Sequence, residues 1–160
     1  MDNKQTELIS LYDLHKNTVF RLALSYLRNE KDAEDVVQEV FLKLIEKEKQ
    51  GKITLEAGKE KALLTKITVN HCRDILRSFW KTHTTDLENI VEPMTEDSST
   101  LLKNVMELPT KQRVTIYLHY YEGYTFEEIG KFLKISPSAV SMRIHRGRKM
   151  LKADLEEVIL

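Results

Sequence analysis

The residues best placed to do chemistry are five cations on one short stretch, Arg143, Arg146, Arg148, Lys149 and Lys152, with no acid between Pro137 and Lys152. Ammonium and guanidinium groups hold phosphate oxygens, and an arginine fork also reaches the edge of a guanine. Ser138, Ser141, Met142 and His145 lie among them, adding hydroxyl, thioether and imidazole groups suited to base edges or backbone. The chemistry these groups suit is nucleic-acid binding, the alternative being a solvated helix that happens to be basic, and the surrounding sequence builds a holder for it. Thr125 can cap a helix that Glu128 closes as a capping box, with Ile129, Phe132 and Leu133 as its apolar face. Ser136 and Pro137 then supply an N-cap and a first-turn proline for a second helix. Val140, Ile144 and Leu151 form that helix's buried stripe, which leaves Ser138, Ser141, Met142, Arg143, His145, Arg146, Lys149 and Lys152 pointing away from the core. Two helices joined so tightly make a helix-turn-helix, the second helix entering a groove of DNA. Lys134 occupies the turn, where a left-handed lysine costs about 1 kcal/mol.

Upstream, helical periodicity is nearly continuous and strand signals are almost absent. Leu8, Leu11, Tyr12, His15, Val19, Leu22, Ala23 and Tyr26 recur at helix spacing from Gln5 to Leu27, with Asn29 as the stop. A second helix opens at Asp32 and buries Ala33, Val36, Val37, Val40, Phe41, Leu44 and Ile45. Its opposite side carries Asp35, Gln38, Glu39 and Leu42, acids that suit arginines of a protein partner beside an exposed leucine. The same side also fits ordinary solvation, with Lys43 as the i+4 partner of Glu39. A third helix from Lys61 to Lys81 sets Leu64, Ile67, His71, Ile75 and Phe79, widened by Cys72 and Leu76, against a basic stripe of Lys66, Asn70, Arg73, Arg77 and Lys81 that Asp74 interrupts. Further helices are expected at Ser99–Glu107 and Thr110–Tyr121, the latter ended by Gly123.

The formal charge of the 160 residues is zero, but it is unevenly spread. Residues 1–84 carry 15 basic and 13 acidic side chains, 85–100 none and 5, and 101–160 10 and 7. Asp86, Glu88, Glu92, Glu96 and Asp97 mark an acidic linker, so the expected fold is all-α: two small helical domains, 1–84 and 101–160, joined by residues 85–100. Cys72 is the only cysteine, which excludes an intrachain disulfide, and no apolar run suffices for a membrane span or signal peptide. A cytoplasmic protein is expected. His71 and Cys72 lack the further ligands of a metal site, and no phosphate loop, nucleophile elbow or carboxylate pair argues for catalysis or a cofactor.

Three segments, DAEDVVQEVFLKLIE at 32–46, LLTKITVNHCRDILRSFWK at 63–81 and LPTKQRVTIYLHYYEGYTFEEIGKFLKISPSAVSMRIHRGRKMLK at 108–152, resemble in that order bacterial sigma factors of the small extracytoplasmic-function class. The likeness spans nearly the whole chain, and the three motifs are specific only together. It implies a promoter-specificity subunit of RNA polymerase with helical regions 2 and 4. Asp35, Gln38, Glu39 and Leu42 become the contacts to core RNA polymerase, on the clamp helices of its largest subunit. Lys66, Asn70, Arg73, Asp74 and Arg77 face the proximal promoter element as its strands part. Ser138, Ser141, Met142, Arg143, His145, Arg146 and Lys149 read the distal promoter DNA. The resemblance also implies a linker path through polymerase near the RNA, and an anti-sigma factor as a further partner. Glu60, Lys61, Ala62 and Leu63 stand where many relatives carry aromatics, which leaves the base-capturing pocket open. The competing reading is a helix-turn-helix regulator with a sensing or dimerising domain, which would bind paired half-sites without polymerase; a helical enzyme or scaffold is a third.

Overall fold

The computed structural model describes residues 3–82 and 100–159, with side chains for 3–79 and 103–152. The acidic linker, apart from Thr100, and the side chains of Trp80 and Lys81 lie outside that description. The chain divides into two compact units, Met1–Thr84 and Thr85–Leu160, and the described residues contain helices and no strand.

The first unit packs α1 (Asn3–Leu27), α2 (Glu30–Lys49) and α3 (Glu60–Thr82) against one another in all three pairings. The break between α1 and α2 is two residues long. Arg28 takes a left-handed backbone, φ +56°, and its N–H still bonds the Leu24 carbonyl at 2.8 Å. Asn29, expected to stop the first helix, instead starts the second: its side-chain oxygen accepts the Asp32 N–H at 2.9 Å. Asparagine serves both helix ends, and here the extended φ of −142° makes it an N-cap. The helix therefore opens at Glu30, not Asp32, and its first-turn acids and last-turn Lys47 and Lys49 suit the helix dipole. So short a turn makes the two helices antiparallel. Lys4 near one end reaches Glu48 at 3.1 Å, and Tyr12 meets Phe41 edge-on at 5.0 Å between ring centres.

The core of this unit holds the α2 residues expected there, except that Ile45 is half-buried. On α3 the buried face is rotated from the expected one. Leu64, Thr65, Ile67, Thr68, Val69 and Cys72 are buried, while His71, Ile75, Leu76 and Phe79 are only half-buried. Two threonines can enter the core because each hydroxyl donates to the carbonyl four residues back, Thr65 to Lys61 at 2.8 Å and Thr68 to Leu64 at 2.7 Å. Burial pushes the Cys72 thiol up to about 12, so it is packing, not a nucleophile.

The second unit contains α4 (Thr100–Glu107), α5 (Thr110–Ile116), α6 (Phe126–Leu133) and α7 (Pro137–Ile159). The expected Thr110–Tyr121 helix loosens at its end into one π turn, Tyr117–Tyr121, before Gly123 at φ +75°. There the Glu122 N–H reaches back to the Tyr117 carbonyl at 3.2 Å, and the Tyr117 hydroxyl donates to the Glu122 carboxylate. Helix α7 crosses α5 at Gly147, where an added Cβ would lie 2.4 Å from Ile116 Cδ1 and 3.3 Å from Gln112 Cβ. A side chain here would force the buried Ile116 to shift its Cδ1. Arg113 of α5 is 1% exposed; its Nη1 donates to the Leu108 carbonyl at 2.7 Å and Nη2 to Thr110 Oγ1 at 3.2 Å, tying the end of α4 to α5.

Candidate functional site

Helix α6 starts on the capping box read from the sequence. The Thr125 N–H donates to Glu128 Oε1 at 3.0 Å, and the Glu128 N–H donates to Thr125 Oγ1 at 3.2 Å. The helix ends at Lys134, φ +59° and ψ +43°, a left-handed lysine as expected. The turn is closed by the Ile135 N–H on the Gly130 carbonyl at 3.0 Å. A Cβ on Gly130 would stand 2.6 Å from the Ile135 carbonyl oxygen, so this glycine is what allows the chain to turn so sharply. Ser136 then caps α7, its hydroxyl accepting the Ala139 N–H at 3.1 Å, and Pro137 occupies the first helical position.

This start sets the rotation of α7. Val140, Ile144 and Gly147 are buried and Leu151 half-buried, so one line of the helix is held against α5 and α6. At about 100° per residue, Ser138, Met142, His145, Arg146 and Lys149 fall on the opposite side and Ser141 on its flank, and all six are exposed, Met142 to 51%. Arg143 sits on the shoulder between the two sides and is half-buried. A groove beside α7 was not read from the sequence. The π turn brings His119 and Tyr120, and the start of α6 brings Phe126, against it, facing Arg148 and Lys152. His119 Nδ1 lies 2.8 Å from the Tyr124 carbonyl oxygen, and its ring packs on Phe126 at 4.9 Å.

In the first unit, Asp35, Gln38, Glu39 and Leu42 are all exposed, Leu42 to 59%, on the side of α2 directly away from Val36, Val40 and Leu44. Lys43 is not paired with Glu39 in the i+4 manner. Its Nζ donates instead to His71 Nδ1 of α3 at 2.7 Å. Burial first, and then Lys43, hold His71 below the ordinary imidazole value, against Glu39 and Asp74, which raise it. On α3, Lys66 and Arg77 are exposed, Asn70 and Arg73 half-buried, and the four lie away from the Leu64, Thr68 and Cys72 face. Asp74 is 4.0 Å from Arg77, a solvated i+3 pair of little energetic weight. Among the described residues no group of three His, Cys, Asp or Glu could hold a metal ion, and no helix is long and apolar enough to cross a membrane.

Comparison with known proteins matches these two units separately. Residues 11–82 fit the family model of sigma-70 region 2, and residues 100–151 that of sigma-70 region 4. The chain is 30% identical to the RNA polymerase sigma factor SigV of Bacillus subtilis, over 97% of this chain and 96% of that one. It is 28% identical to the ECF RNA polymerase sigma factor SigW of the same organism, over 96% and 91%, and 30% identical to CarQ of Myxococcus xanthus, over 99% and 95%. The fold is shared with the sigma factor RpoE of Bartonella quintana, solved with the anti-sigma factor NepR, at a TM-score of 0.71, 20% identity and 98% coverage of both chains. CnrH, solved with the cytosolic domain of CnrY, follows at a TM-score of 0.66 and 24% identity, over 96% of this chain and 90% of that one. With region 2, region 4 and near full-length relatives in agreement, the chain belongs to the extracytoplasmic-function class of RNA polymerase sigma factors, and directs transcription initiation at specific promoters.

Proposed function

We propose that the two units divide the work of initiation as follows. Residues 1–84 dock core RNA polymerase through Asp35, Gln38, Glu39 and Leu42, and engage the proximal promoter element through Lys66, Asn70, Arg73, Asp74 and Arg77. Residues 101–160 hold the distal element through Ser138, Ser141, Met142, Arg143, His145, Arg146 and Lys149, and residues 85–100 join the two as an acidic linker that runs near the RNA path. The observation that carries this reading is that the outward set on α2, and nearly all of the one on α7, stands opposite its helix's own buried stripe. Those side chains have no part in the core, so their chemistry is available to partners. Carboxylates on α2 suit arginines of a protein surface, and cations on α3 and α7 suit phosphates and bases.

The protein itself carries out no bond chemistry in this account and acts in the cytoplasm, where polymerase is. Each DNA contact is weak alone; polymerase fixes the spacing of the two units, and effective concentration makes them act together. RpoE and CnrH are each seen bound by a second protein, an anti-sigma factor in the case of RpoE. An anti-sigma factor is the further partner this reading expects here. The division is tested by measuring core binding and promoter retention separately. The triple variant D35A/Q38A/E39A should lose core polymerase binding, whereas R146A/K149A should keep it and lose retention of duplex carrying the distal element. Loss of both activities in both variants would contradict the division.

A further inference from the structure

The polymerase-facing and strand-facing surfaces of the first unit border one another, and a single directional contact sits at the seam. Around α2, the outward side continues from Glu39 to Lys43, one turn on, at the flank that meets α3. Around α3, the stripe continues from Asn70 and Asp74 to His71. The two flanks join where Lys43 Nζ donates to His71 Nδ1 at 2.7 Å, both residues being half-buried. An ammonium group can only donate, so the imidazole presents the lone pair of Nδ1 and carries its proton on Nε2. The contact is charge-assisted and partly shielded from water, which makes it stronger than an exposed pair.

The segment that connects α2 to α3 does not itself set the rotation of α3, which rests on side-chain packing against α1 and α2. The helices are joined by residues 50–59, which form turns and irregular chain, with Gly51 at φ +70° and Gly58 at φ +85°. Apolar packing of the kind made by Val40, Leu44, Leu64 and Cys72 is strong but non-directional. A hydrogen bond with fixed donor and acceptor geometry adds a directional constraint to that packing.

We propose that the Lys43–His71 bond is a positioning contact, holding the Asn70 and Asp74 side of α3 in register with Glu39 on α2, so that polymerase docking and capture of the opening strand are set together. This rests on the division of labour proposed above. Neither residue need touch polymerase or DNA; each acts through its neighbours. The charges acting on the imidazole are Lys43 and Glu39 on α2 and Asp74 on α3. Protonation would remove the acceptor and set two cations against each other.

The test uses the full chain with core polymerase and a promoter fragment that the wild-type protein transcribes. Core affinity is read from a fluorescent label on the protein, and strand opening from permanganate reactivity of unpaired thymines at saturating polymerase. H71L and K43M should leave core affinity near wild type, lower the thermal midpoint by no more than the few degrees that one lost hydrogen bond costs, and lower opening by about tenfold, the equilibrium factor of one charge-assisted hydrogen bond. H71N should restore opening, since Asn Oδ1 sits at the same side-chain position as Nδ1 and accepts the same hydrogen. The double variant K43M/H71L should be no worse than either single one. Opening by wild type should decline relative to H71N as pH falls below 6.5, because only histidine loses its acceptor. Unchanged opening in H71L, equal defects in H71N and H71L, or a parallel fall in core affinity would overturn the proposal. If wild type itself gives no polymerase-dependent opening, the functional division falls first, a failure visible without any variant at Lys43 or His71.

Discussion

Gly130→Ala sets two physical effects against each other, and the structure decides the sign. In a helix interior, replacing glycine by alanine stabilises by about 1 kcal/mol, since the unfolded chain loses freedom and propensity improves. Here the new methyl group would meet the Ile135 carbonyl oxygen at 2.6 Å, with Pro137 N at 3.6 Å and Ile135 C at 3.7 Å behind it. Real Cβ–oxygen contacts are nearer 3.4 Å, so the turn must open by several tenths of an ångström. The obstructing atom belongs to the backbone, next to the cap that starts α7, and no side-chain rotation relieves it. The movement also strains the Ile135 N–H bond to the Gly130 carbonyl at 3.0 Å. Overpacking of this kind costs about 1–3 kcal/mol, so after the propensity gain the net effect is a destabilisation of roughly 0–2 kcal/mol, and α7 shifts relative to α6. Urea unfolding of the full chain followed by circular dichroism gives the first quantity; promoter retention with polymerase gives the second. A variant more stable than wild type by about 1 kcal/mol, with unchanged DNA retention, would refute the claim that this glycine makes the turn.

Lys134→Gly should stabilise the same turn by up to about 1 kcal/mol, because the residue at φ +59° carries a Cβ in a left-handed backbone; a lowered denaturation midpoint would contradict this. Thr125→Ala removes one half of the capping box and should cost about 1 kcal/mol, read from the same unfolding curves. His15 and His71 are both held below 6.5, first by burial, with Glu60 opposing and Lys61 adding at His15. The unfolded chain therefore takes up protons that the folded chain refuses, so their contribution is complete above 6.5 and is lost as pH falls towards the folded values. Stability of wild type should fall faster than that of H15Q/H71N between pH 7 and 5, and identical slopes would remove the two histidines from the account. Cys72, with its thiol at about 12, should stay unreactive to a thiol reagent at pH 8 until denaturant exposes it.

Local signals carried the helix-turn-helix almost whole. Thr125, Glu128, Ser136 and Pro137 act through bonds to backbone atoms a few residues away, so their meaning is visible in the sequence. The outward faces of α2 and α7 were equally legible, since each lies across from a clean apolar stripe. What escaped depends on partners distant in the chain or on polar groups satisfied inside the core. Thr65 and Thr68 are buried because each hydroxyl finds a carbonyl in its own helix, which hydrophobic periodicity scores as exposure. The stripe through His71, Ile75 and Phe79 was therefore placed a few tens of degrees from the true core face at 3.6 residues per turn. Arg113 is buried for the same kind of reason, and Asn29 caps the second helix where a stop to the first is equally legible, because both helix ends accept asparagine. The Lys43–His71 contact joins residues 28 positions apart, and nothing local announces it.

Docking of polymerase by the α2 face can be read from run-off transcription with purified core RNA polymerase and genomic promoter fragments, with and without this protein and with D35A/Q38A/E39A. Transcripts should require the protein and vanish with the triple variant. Binding to duplex DNA without polymerase, with no dependent transcripts, would contradict that docking.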